Sequence, residues 1–279
     1  MSALVEVRDL RVRFAGERNV HAVNGVGFDL APGEVLGILG ESGSGKSVTL
    51  KALLRLLPER RTEISGAIRI DGRDVLGLSA EALADYRGKT VSMVFQEPML
   101  ALDPVFTVGH QIAESIVRHE GIDAAAARKR TLGMLERVRI PSPERRMAAY
   151  PHELSGGMRQ RAMIALALAC RPKVLLADEP TTALDATVQI QILLLLRELQ
   201  RELGMAAIFV THDVGVAVEV ADRIAVMYAG RFVESGPVGE VIKRPRHPYT
   251  RGLLASTVHG AMRGRRLEAI PGAPPSLAE

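Results

Sequence analysis

The sequence has one cysteine, no tryptophan and few other aromatic residues. A single cysteine, Cys170, cannot form an internal disulfide, a CxxC redox pair, or a zinc or iron–sulfur site. Because it follows an apolar run, we expect a buried, packed thiol, and this cysteine usage fits a reducing cytosol. Aromatic residues make up 4% of the chain, so Leu, Val, Ile and Ala must fill the core.

Long hydrophobic runs are also missing from the sequence. The start of the chain, MSALVEVRD, has no apolar stretch of signal-peptide length. No uninterrupted apolar run approaches the roughly 18–20 residues that a membrane-spanning helix needs. If the protein serves a membrane, we therefore expect another chain to supply the part that spans it.

The excess of positive charge is small. The formal net charge is +4, and the basic clusters, which are short and lack interleaved aromatic residues, are Arg128–Arg130, Arg145–Arg146 and Arg263–Arg266. We interpret them as solvated faces and expect no nucleic-acid partner. Hydrophobic residues at 47% and charged residues at 24% exclude wholesale disorder. The 279 residues suffice for about two domains, or for one large α/β domain with an insertion.

Short apolar runs alternate with helical patterns along most of the chain. Strands are predicted at Leu4–Phe14, Val20–Leu30, Val35–Leu39, Val91–Phe95, Val174–Ala177 and Ala206–Val210. Helices are predicted at Val48–Leu57, Met158–Ala169, Ala186–Leu203 and Val214–Ala221. This alternation favours an α/β fold with a mostly parallel sheet. The stretch Thr107–Leu154 is mostly helical in pattern and predicts an inserted helical subdomain, whereas the proline-rich stretch Ile270–Glu279 predicts an irregular tail.

A glycine-rich segment between a predicted strand and a predicted helix fits a phosphate-binding loop. Residues 40–47 read GESGSGKS, which matches G-x-x-x-x-G-K-[ST]. Glycines let backbone N–H groups turn toward phosphate oxygens, and the helix start adds about half a positive charge. Lys46 is expected to bridge the β- and γ-phosphates, and Ser47 to offer its hydroxyl to Mg²⁺. This motif alone leaves kinases, GTPases and motors open.

Two carboxylates follow the apolar strand that begins at Val174. Asp178, at the end of the strand, can hold Mg²⁺ directly or through water. Glu179 comes next and can polarise an attacking water as a general base. Pro180 then forces the chain out of the sheet. Without the phosphate loop, the two residues could simply be solvated acids at the end of a strand. The presence of that loop favours the interpretation as a magnesium ligand and a general base.

The segment Leu154–Met158, which reads LSGGM, resembles the LSGGQ signature of ATP-binding cassette (ABC) ATPases. Other parts of that family's pattern appear in order. Gln96 lies at the Q-loop position, Asp178-Glu179 match the Walker B element, Ala183–Asp185 match the D-loop, and His212 matches the switch histidine. Phe14 lies where the family stacks an aromatic ring on adenine. The resemblance covers about residues 3 to 250.

The resemblance implies a P-loop NTPase core with a mostly parallel sheet, an antiparallel β edge subdomain and the inserted helical subdomain, at about residues 107–158. It implies an ABC ATPase domain over residues 1–258 and a proline-rich tail over residues 259–279. Implied ligands are ATP and Mg²⁺, with Mg²⁺ held by Ser47, Gln96 and Asp178. The expected nucleotide-binding residues are Phe14, Gly40, Glu41, Ser42, Gly43, Ser44, Gly45, Lys46, Ser47, Val48, Ser155, Gly156, Gly157 and Asp185.

In this family two such domains pair head to tail. Each nucleotide lies between one subunit's phosphate loop and the other's signature, so Ser155, Gly156 and Gly157 would donate to the γ-phosphate across the interface. Glu179 would be the general base. Gln96 would contact Mg²⁺ or the attacking water, and His212 would hold that water and the γ-phosphate. Met158 stands where the signature usually has Gln, a departure that we expect nucleotide binding to tolerate.

A finer resemblance is to the oligopeptide, dipeptide and nickel importer ATPases. It rests on the residues 40–47, Phe95–Met99, Leu102–Pro104, Tyr150–Met158, Ala177–Asp185, Met227–Gly230, Arg246–Thr250 and Ile270–Leu277. Met158 and Thr181-Thr182 resemble the D-type subunit of that group. The resemblance implies a second ATPase subunit (an F-type sister or a second copy), two transmembrane permease subunits and an extracytoplasmic binding protein. It also implies a peripheral position on the cytoplasmic face of the membrane.

Other classes are weighed against this interpretation. A soluble ABC protein acting on ribosomes or DNA usually has two cassettes or a long coiled-coil insertion, and neither occurs here. Exporter cassettes would not explain the importer motifs, and a noncatalytic cassette would lack Glu179 or Lys46. Some relatives carry an iron–sulfur cluster in a cysteine-bearing tail, whose cysteines this sequence lacks, so we expect no cluster.

Overall fold

The computed structural model of the protein describes residues 3–181, 185–256 and 277–278. The chain divides into two compact units. The first unit comprises residues 1–78 and 208–279, and the second comprises residues 79–207. Ala183 and Leu184 of the predicted D-loop lie outside the described residues, as does the predicted tail except for Leu277 and Ala278.

The elements follow one another as strands and helices along both units. Up to residue 78 they are β1 (Val5–Phe14), β2 (Val20–Leu30), β3 (Val35–Leu39), α1 (Lys46–Leu53), β4 (Thr62–Ile70) and β5 (Arg73–Asp74). The second unit has α2 (Ala80–Lys89), β6 (Val91–Val94), α3 (Pro98–Ala101), α4 (Val108–Glu120), α5 (Ala124–Arg137), α6 (Pro143–Met147), α7 (Gly156–Leu168), β7 (Val174–Asp178) and α8 (Ala186–Leu203). Next come β8 (Ala206–Thr211), which crosses the limit of the units, α9 (Val214–Val220), β9 (Arg223–Tyr228), β10 (Arg231–Pro237), α10 (Val238–Lys243) and α11 (Pro248–Ala255).

The first unit contains an antiparallel sheet with the strand order β2-β1-β4-β5. Along β1, the side chains of Val5, Val7, Leu10 and Val12 are buried. The alternation shifts by one residue at Asp9, whose φ is 44° and where the register with the neighbouring strands also shifts. This bulge keeps the apolar side chains on one face despite the extra residue. The antiparallel subdomain expected from the resemblance is therefore present.

The first unit also contains the buried strands β3 and β9 and the largely exposed strand β10. All five residues of β3 are buried, and β3 pairs in parallel with β9. A Cβ on Gly37 would lie 3.0 Å from the Cβ of Ala221, so helix α9 approaches β3 closely there. β9 and β10 form a hairpin through Ala229 and Gly230, both with positive φ, as a two-residue turn of this twist requires.

The second unit combines parallel strands with helices. β6 and β7 pair in parallel and are fully buried, and α4 packs against α5 and α7. Between Thr107 and Leu154 the described elements are α4, α5, α6 and a 3-10 turn, which confirms the helical pattern predicted there. The protein is an α/β protein with a mostly parallel mixed sheet, an antiparallel sheet and helices, as predicted. In the part of the chain that the structure describes, no helix is both long and apolar enough to cross a membrane.

Several predicted boundaries were wrong. Helix α1 begins at Lys46 and ends at Leu53, whereas the pattern predicted Val48–Leu57. It ends early because Arg55 has a φ of 49°, which a right-handed helix cannot continue through. Strand β6 ends one residue before the predicted Phe95, and α7 begins two residues before the predicted Met158. Cys170 is buried, as expected.

Candidate functional site

The phosphate loop of the first unit contains two glycines, Gly40 and Gly45, at which a side chain would collide with neighbouring backbone. Gly45 caps α1 with a φ of 106°, and a Cβ there would lie 2.3 Å from the carbonyl oxygen of Ala22. A Cβ on Gly40 would lie 2.3 Å from the carbonyl oxygen of Met227. Backbone atoms therefore approach the loop from strands β2 and β9, and α1 begins directly after it.

Lys46, the first residue of α1, turns its side chain back over the loop. Its ammonium group donates hydrogen bonds to the carbonyl oxygens of Gly40 and Glu41, both at 2.8 Å. The residue is only 4% exposed. A buried cation held at the mouth of a helix start creates a strongly anion-attracting position. This is the ammonium group that is predicted from the sequence to contact the β- and γ-phosphates.

Two further segments of the first unit hold the loop from outside. The N–H of Gly230, in the β9–β10 turn, donates to the carbonyl oxygen of Ser44 at 2.9 Å. The hydroxyl of Tyr249, in α11, accepts a hydrogen bond from the N–H of Glu41 at 3.2 Å. Sequence reasoning missed the second contact. Tyr249 lies in the segment Arg246–Thr250, which contributes to the resemblance to the peptide importer ATPases. No chemical role was predicted for this segment from the sequence.

The other two predicted residues of the first unit lie at ends of strands. Phe14 is half-buried at the end of β1, opposite Val20. His212 is exposed and follows β8. Its neighbour Asp213 donates its N–H to the hydroxyl of Thr211 at 3.0 Å and caps α9 with its carboxylate. The backbone on both sides of His212 is thus fixed by a local turn.

In the second unit, the acidic pair ends β7. Asp178 is the last strand residue and is 5% exposed. Glu179 is half-buried and has a φ of 45°. A left-handed backbone at a residue other than glycine costs about 1–3 kcal/mol, and in this chain it also occurs at structural turns such as Asp9 and Ala229. The turn explains how two consecutive carboxylates can leave the alternation of the strand. Gln96 is exposed, two residues after β6.

The signature segment opens helix α7 as predicted from its residue types. The Ser155 hydroxyl caps the helix by accepting the N–H of Met158 at 3.3 Å. Gly156 and Gly157 form the first turn, and a Cβ on Gly157 would lie 3.1 Å from Cγ1 of Val188. The signature helix therefore approaches α8 closely. Asp185 caps α8 by accepting the N–H of Val188 at 3.0 Å.

Gln160 ties the signature helix to the acidic pair. This glutamine is buried, and its amide donates a hydrogen bond to the carbonyl oxygen of Pro180, one residue beyond Glu179. A buried polar side chain in this position fixes the chain that leaves β7 relative to α7. The sequence offered no signal for this contact, since Gln160 lies outside the short signature.

Comparison with known proteins identifies the family. The family model described as ABC transporter matches residues 23–182, and a second, described as oligopeptide/dipeptide transporter, C-terminal region, matches residues 233–279. The oligopeptide transport ATP-binding protein OppD of Bacillus subtilis is 51% identical over 99% of this chain and 78% of its own length. The chain belongs to the ABC transporter family. The dipeptide transport ATP-binding protein DppD of the same organism is 47% identical over 99% of this chain and 83% of its own length.

Solved ABC cassettes have the same fold. The ATP-binding cassette MJ0796, in a dimeric post-hydrolysis state bound to ADP and phosphate, matches with a TM-score of 0.75 and 30% identity. The match covers 84% of this chain and 98% of that cassette. Within this ABC cassette, the first unit holds the phosphate loop, Phe14 and His212. The second unit holds Gln96, the signature, the acidic pair and Asp185.

Proposed function

We propose that the chain is the ATP-binding and ATP-hydrolysing subunit of an ABC importer for peptides or a related small solute. The observation that carries this proposal is a complete phosphate loop, with Lys46 held over it, in a chain about half identical to peptide transport ATP-binding proteins. No observation favours a soluble ABC protein acting on ribosomes or DNA.

The roles assigned to single residues belong to this proposal. Lys46 and the N–H groups of residues 40–48 bind the triphosphate, and Phe14 stacks on the adenine. Glu179 accepts a proton from the attacking water. Gln96 and His212 orient that water and the γ-phosphate. Asp185, in the D-loop, is a further residue of the nucleotide-binding site. The strained backbone of Glu179 supports its role, because it turns the carboxylate away from the strand alternation.

Mg²⁺ fits the donors that the chain offers. Ser47, Gln96 and Asp178 present hydroxyl, amide and carboxylate oxygens, the ligand type that Mg²⁺ prefers. Among the described residues, no group of three His, Cys, Asp or Glu could hold a metal ion unaided. This is the pattern for a cation that arrives with substrate phosphates and takes one or two protein ligands. When bound, Mg²⁺ would neutralise charge on the β- and γ-phosphates.

The partners follow from the same proposal. The signature, with Ser155, Gly156 and Gly157 at the start of α7, would bind the γ-phosphate of a nucleotide held by a second ATPase subunit. Two permease subunits and an extracytoplasmic binding protein would complete the transporter, with this chain on the cytoplasmic face of the membrane. We keep the division into an ATPase domain at residues 1–258, with a helical subdomain at about 107–158, and a tail at 259–279.

The experiment is an equilibrium titration of the purified chain with ATP and Mg²⁺, together with uptake of a labelled peptide by cells that depend on this chain. Lys46→Ala should weaken ATP binding by at least about tenfold, since it removes a charge-assisted contact. Lys51→Ala, on the same helix, is the matched control and should bind normally. Unchanged affinity in Lys46→Ala would refute the phosphate site. If cells that lack the chain took up the labelled peptide normally, the proposal that this importer carries peptides would be refuted.

A further inference from the structure

One side chain from the C-terminal part of the first unit, Tyr249, makes two hydrogen bonds with the phosphate loop. The hydroxyl of Tyr249 accepts the N–H of Glu41 at 3.2 Å and donates to a carboxylate oxygen of the same residue at 3.3 Å. One hydroxyl thus holds both the backbone and the side chain of the second loop residue. No other part of the proposed mechanism uses Tyr249.

Tyr249 is itself firmly placed. It is 7% exposed, and its ring lies against that of Tyr228 with centroids 4.4 Å apart. The ring nitrogen Nδ1 of His247 accepts the N–H of Tyr249 at 3.2 Å and so caps α11. The carboxylate of Glu234, on β10, accepts the N–H groups of Arg246 and His247 at 2.8 and 3.0 Å. The hydroxyl is therefore presented from a rigid support.

Glu41 is also the residue through which the loop holds its lysine. Its carbonyl oxygen accepts one of the two hydrogen bonds that the Lys46 ammonium gives to the loop backbone. A continuous line of hydrogen bonds runs from Tyr249 through Glu41 to Lys46. The Glu41 carboxylate also carries a negative charge beside the loop that is proposed to bind ATP. A negative charge close to the phosphates of ATP would repel them.

Glu41 borders a cavity. This cavity of about 160 Å³ lies against the loop and is lined by Glu41, Ser42, Gly43, Tyr228, Tyr249 and Leu277 among others. The N–H and the carboxylate of Glu41 both hydrogen-bond to the Tyr249 hydroxyl, while its carbonyl oxygen accepts from Lys46 and from the N–H of Ser44. Leu277 belongs to the short segment whose carbonyl oxygen accepts the N–H of His21 at 2.8 Å.

We propose that Tyr249 is a positioning residue of the nucleotide site, which sets ATP affinity by holding the Glu41 backbone under Lys46 and the Glu41 carboxylate away from the phosphates. This inference deepens the proposed function and rests on it. It also assigns a role to the region that the second family model matches, residues 233–279, in a site formed by residues far earlier in the chain.

The hydroxyl can act in this way over the whole pH range in which ATPases are assayed. Burial raises the pKa of Tyr249 to about 12, although the N–H of Glu41 opposes the shift. The side chain consequently remains a neutral donor toward the Glu41 carboxylate. Its contribution to ATP affinity should not change between pH 6 and 9.

The test compares ATP affinity in Tyr249→Phe, Glu41→Ala and the double variant, all in the full-length chain. Tyr249→Phe should bind ATP about three- to tenfold more weakly, the size expected from losing one or two hydrogen bonds. Its KM should rise by a similar factor with kcat changed less than twofold. In the Glu41→Ala background the same substitution should weaken binding by a smaller factor, because only the hydrogen bond from the backbone N–H of residue 41 is then left to lose.

Tyr228→Phe is the matched control. It removes a hydroxyl from the same aromatic pair, and among the described residues that hydroxyl makes no hydrogen bond with the loop, so ATP affinity should not change. Equal losses for Tyr249→Phe in both backgrounds, a fall in kcat alone, or no loss at all would overturn the inference while leaving the proposed function intact. If the unaltered chain bound no ATP, the proposed function would fail first, and the inference with it.

Discussion

At the scale of single residues, Glu179 offers the sharpest test of chemistry. Its left-handed backbone and its place directly after Asp178 set its carboxylate apart from the strand. Glu179→Gln keeps the shape of the side chain but cannot accept a proton. We expect normal ATP binding and turnover lowered by about 10²–10⁴-fold, the usual contribution of a general base. A steady-state phosphate-release assay measures this.

The control for Glu179→Gln is Glu136→Gln, an exposed glutamate on α5 of the same unit. It should hydrolyse ATP at the unaltered rate. If Glu179→Gln also kept that rate, the base would have to be another group, and Glu179 would be only a structural turn residue.

The environment of His119 leads to a prediction of how the free energy of unfolding depends on pH. It lies on α4, half-buried, and its Nδ1 is buried with no hydrogen-bond partner in the described part of the chain. Burial and the nearby Arg118 and Lys89 lower the pKa of His119, while Asp85 and Glu120 oppose them. The unfolded chain therefore binds this proton more readily, so stability should be highest above about pH 6.5 and should fall as the pH drops below it.

The measurement is the free energy of unfolding by urea at pH 7.5 and 5.5. The loss toward pH 5.5 should be smaller in His119→Gln than in the unaltered chain. His110→Gln, which changes an exposed histidine of the same helix, should show the unaltered loss. An identical pH dependence in His119→Gln would show that other groups cause the effect.

Single residues also mark how far the sequence can be interpreted. The positions of Lys46, Ser155 and the glycines of the loop followed from local motifs, because the chemistry of each requires a fixed spacing within one short segment. The contacts of Glu41 with Tyr249 and of Gln160 with Pro180 could not be predicted. The first joins residues 208 positions apart, and nothing in either segment indicates the other.

At the scale of elements, predictions succeeded where local signals bounded both ends. Strand β3 lies between a Pro-Gly turn and the phosphate loop, and α8 lies between its cap Asp185 and Gly204, which has a φ of 65°. Both have the predicted limits. Strands β4, β5, β9 and β10 were not predicted. Most residues of β4 and β10 are exposed or half-exposed, and each of these two strands contains a glycine, so neither shows a clear hydrophobic alternation. The four inner residues of β9 are buried, so its apolar run was a signal that the prediction missed.

The start of α7 allows stability and function to be separated. Ser155 caps this helix, so Ser155→Ala should lower the free energy of unfolding by about 1 kcal/mol. Ser155→Asp should retain the cap, since aspartate is an equally good capping residue. It adds a negative charge where the partner's γ-phosphate would bind, so turnover should fall by at least about tenfold while ATP binding to the single subunit stays normal.

Urea unfolding and phosphate release measure the two effects on the same preparations. Full turnover in Ser155→Asp would contradict the composite site. A stability loss in Ser155→Asp as large as in Ser155→Ala would instead mean that the carboxylate does not replace the hydroxyl as a cap, and the two effects could not be separated with this pair.

At the scale of the whole molecule, the proposed function makes this cassette one half of a motor that needs a second subunit. In that proposal the signature binds a γ-phosphate presented by another cassette, so ATP acts as the link that holds two cassettes together. Blocking hydrolysis should therefore trap the closed pair. We expect Glu179→Gln to change from one chain of 30.1 kDa to a dimer when Mg·ATP is added, either with a second copy or with a sister ATPase subunit.

Light scattering with and without Mg·ATP, on the chain alone and mixed with the sister subunit, distinguishes these partners. An ATP-dependent homodimer would mean that one sequence supplies both composite sites. A chain that binds ATP yet dimerises only with the sister would mean that the signature of this chain serves the sister's nucleotide. When Ser155→Asp is combined with Glu179→Gln, only the nucleotide site to which this signature contributes should be lost. About half of the bound ATP should then remain trapped in the pair. No association under any of these conditions would contradict the motor model, because ATP binding would then have no means of drawing two subunits together.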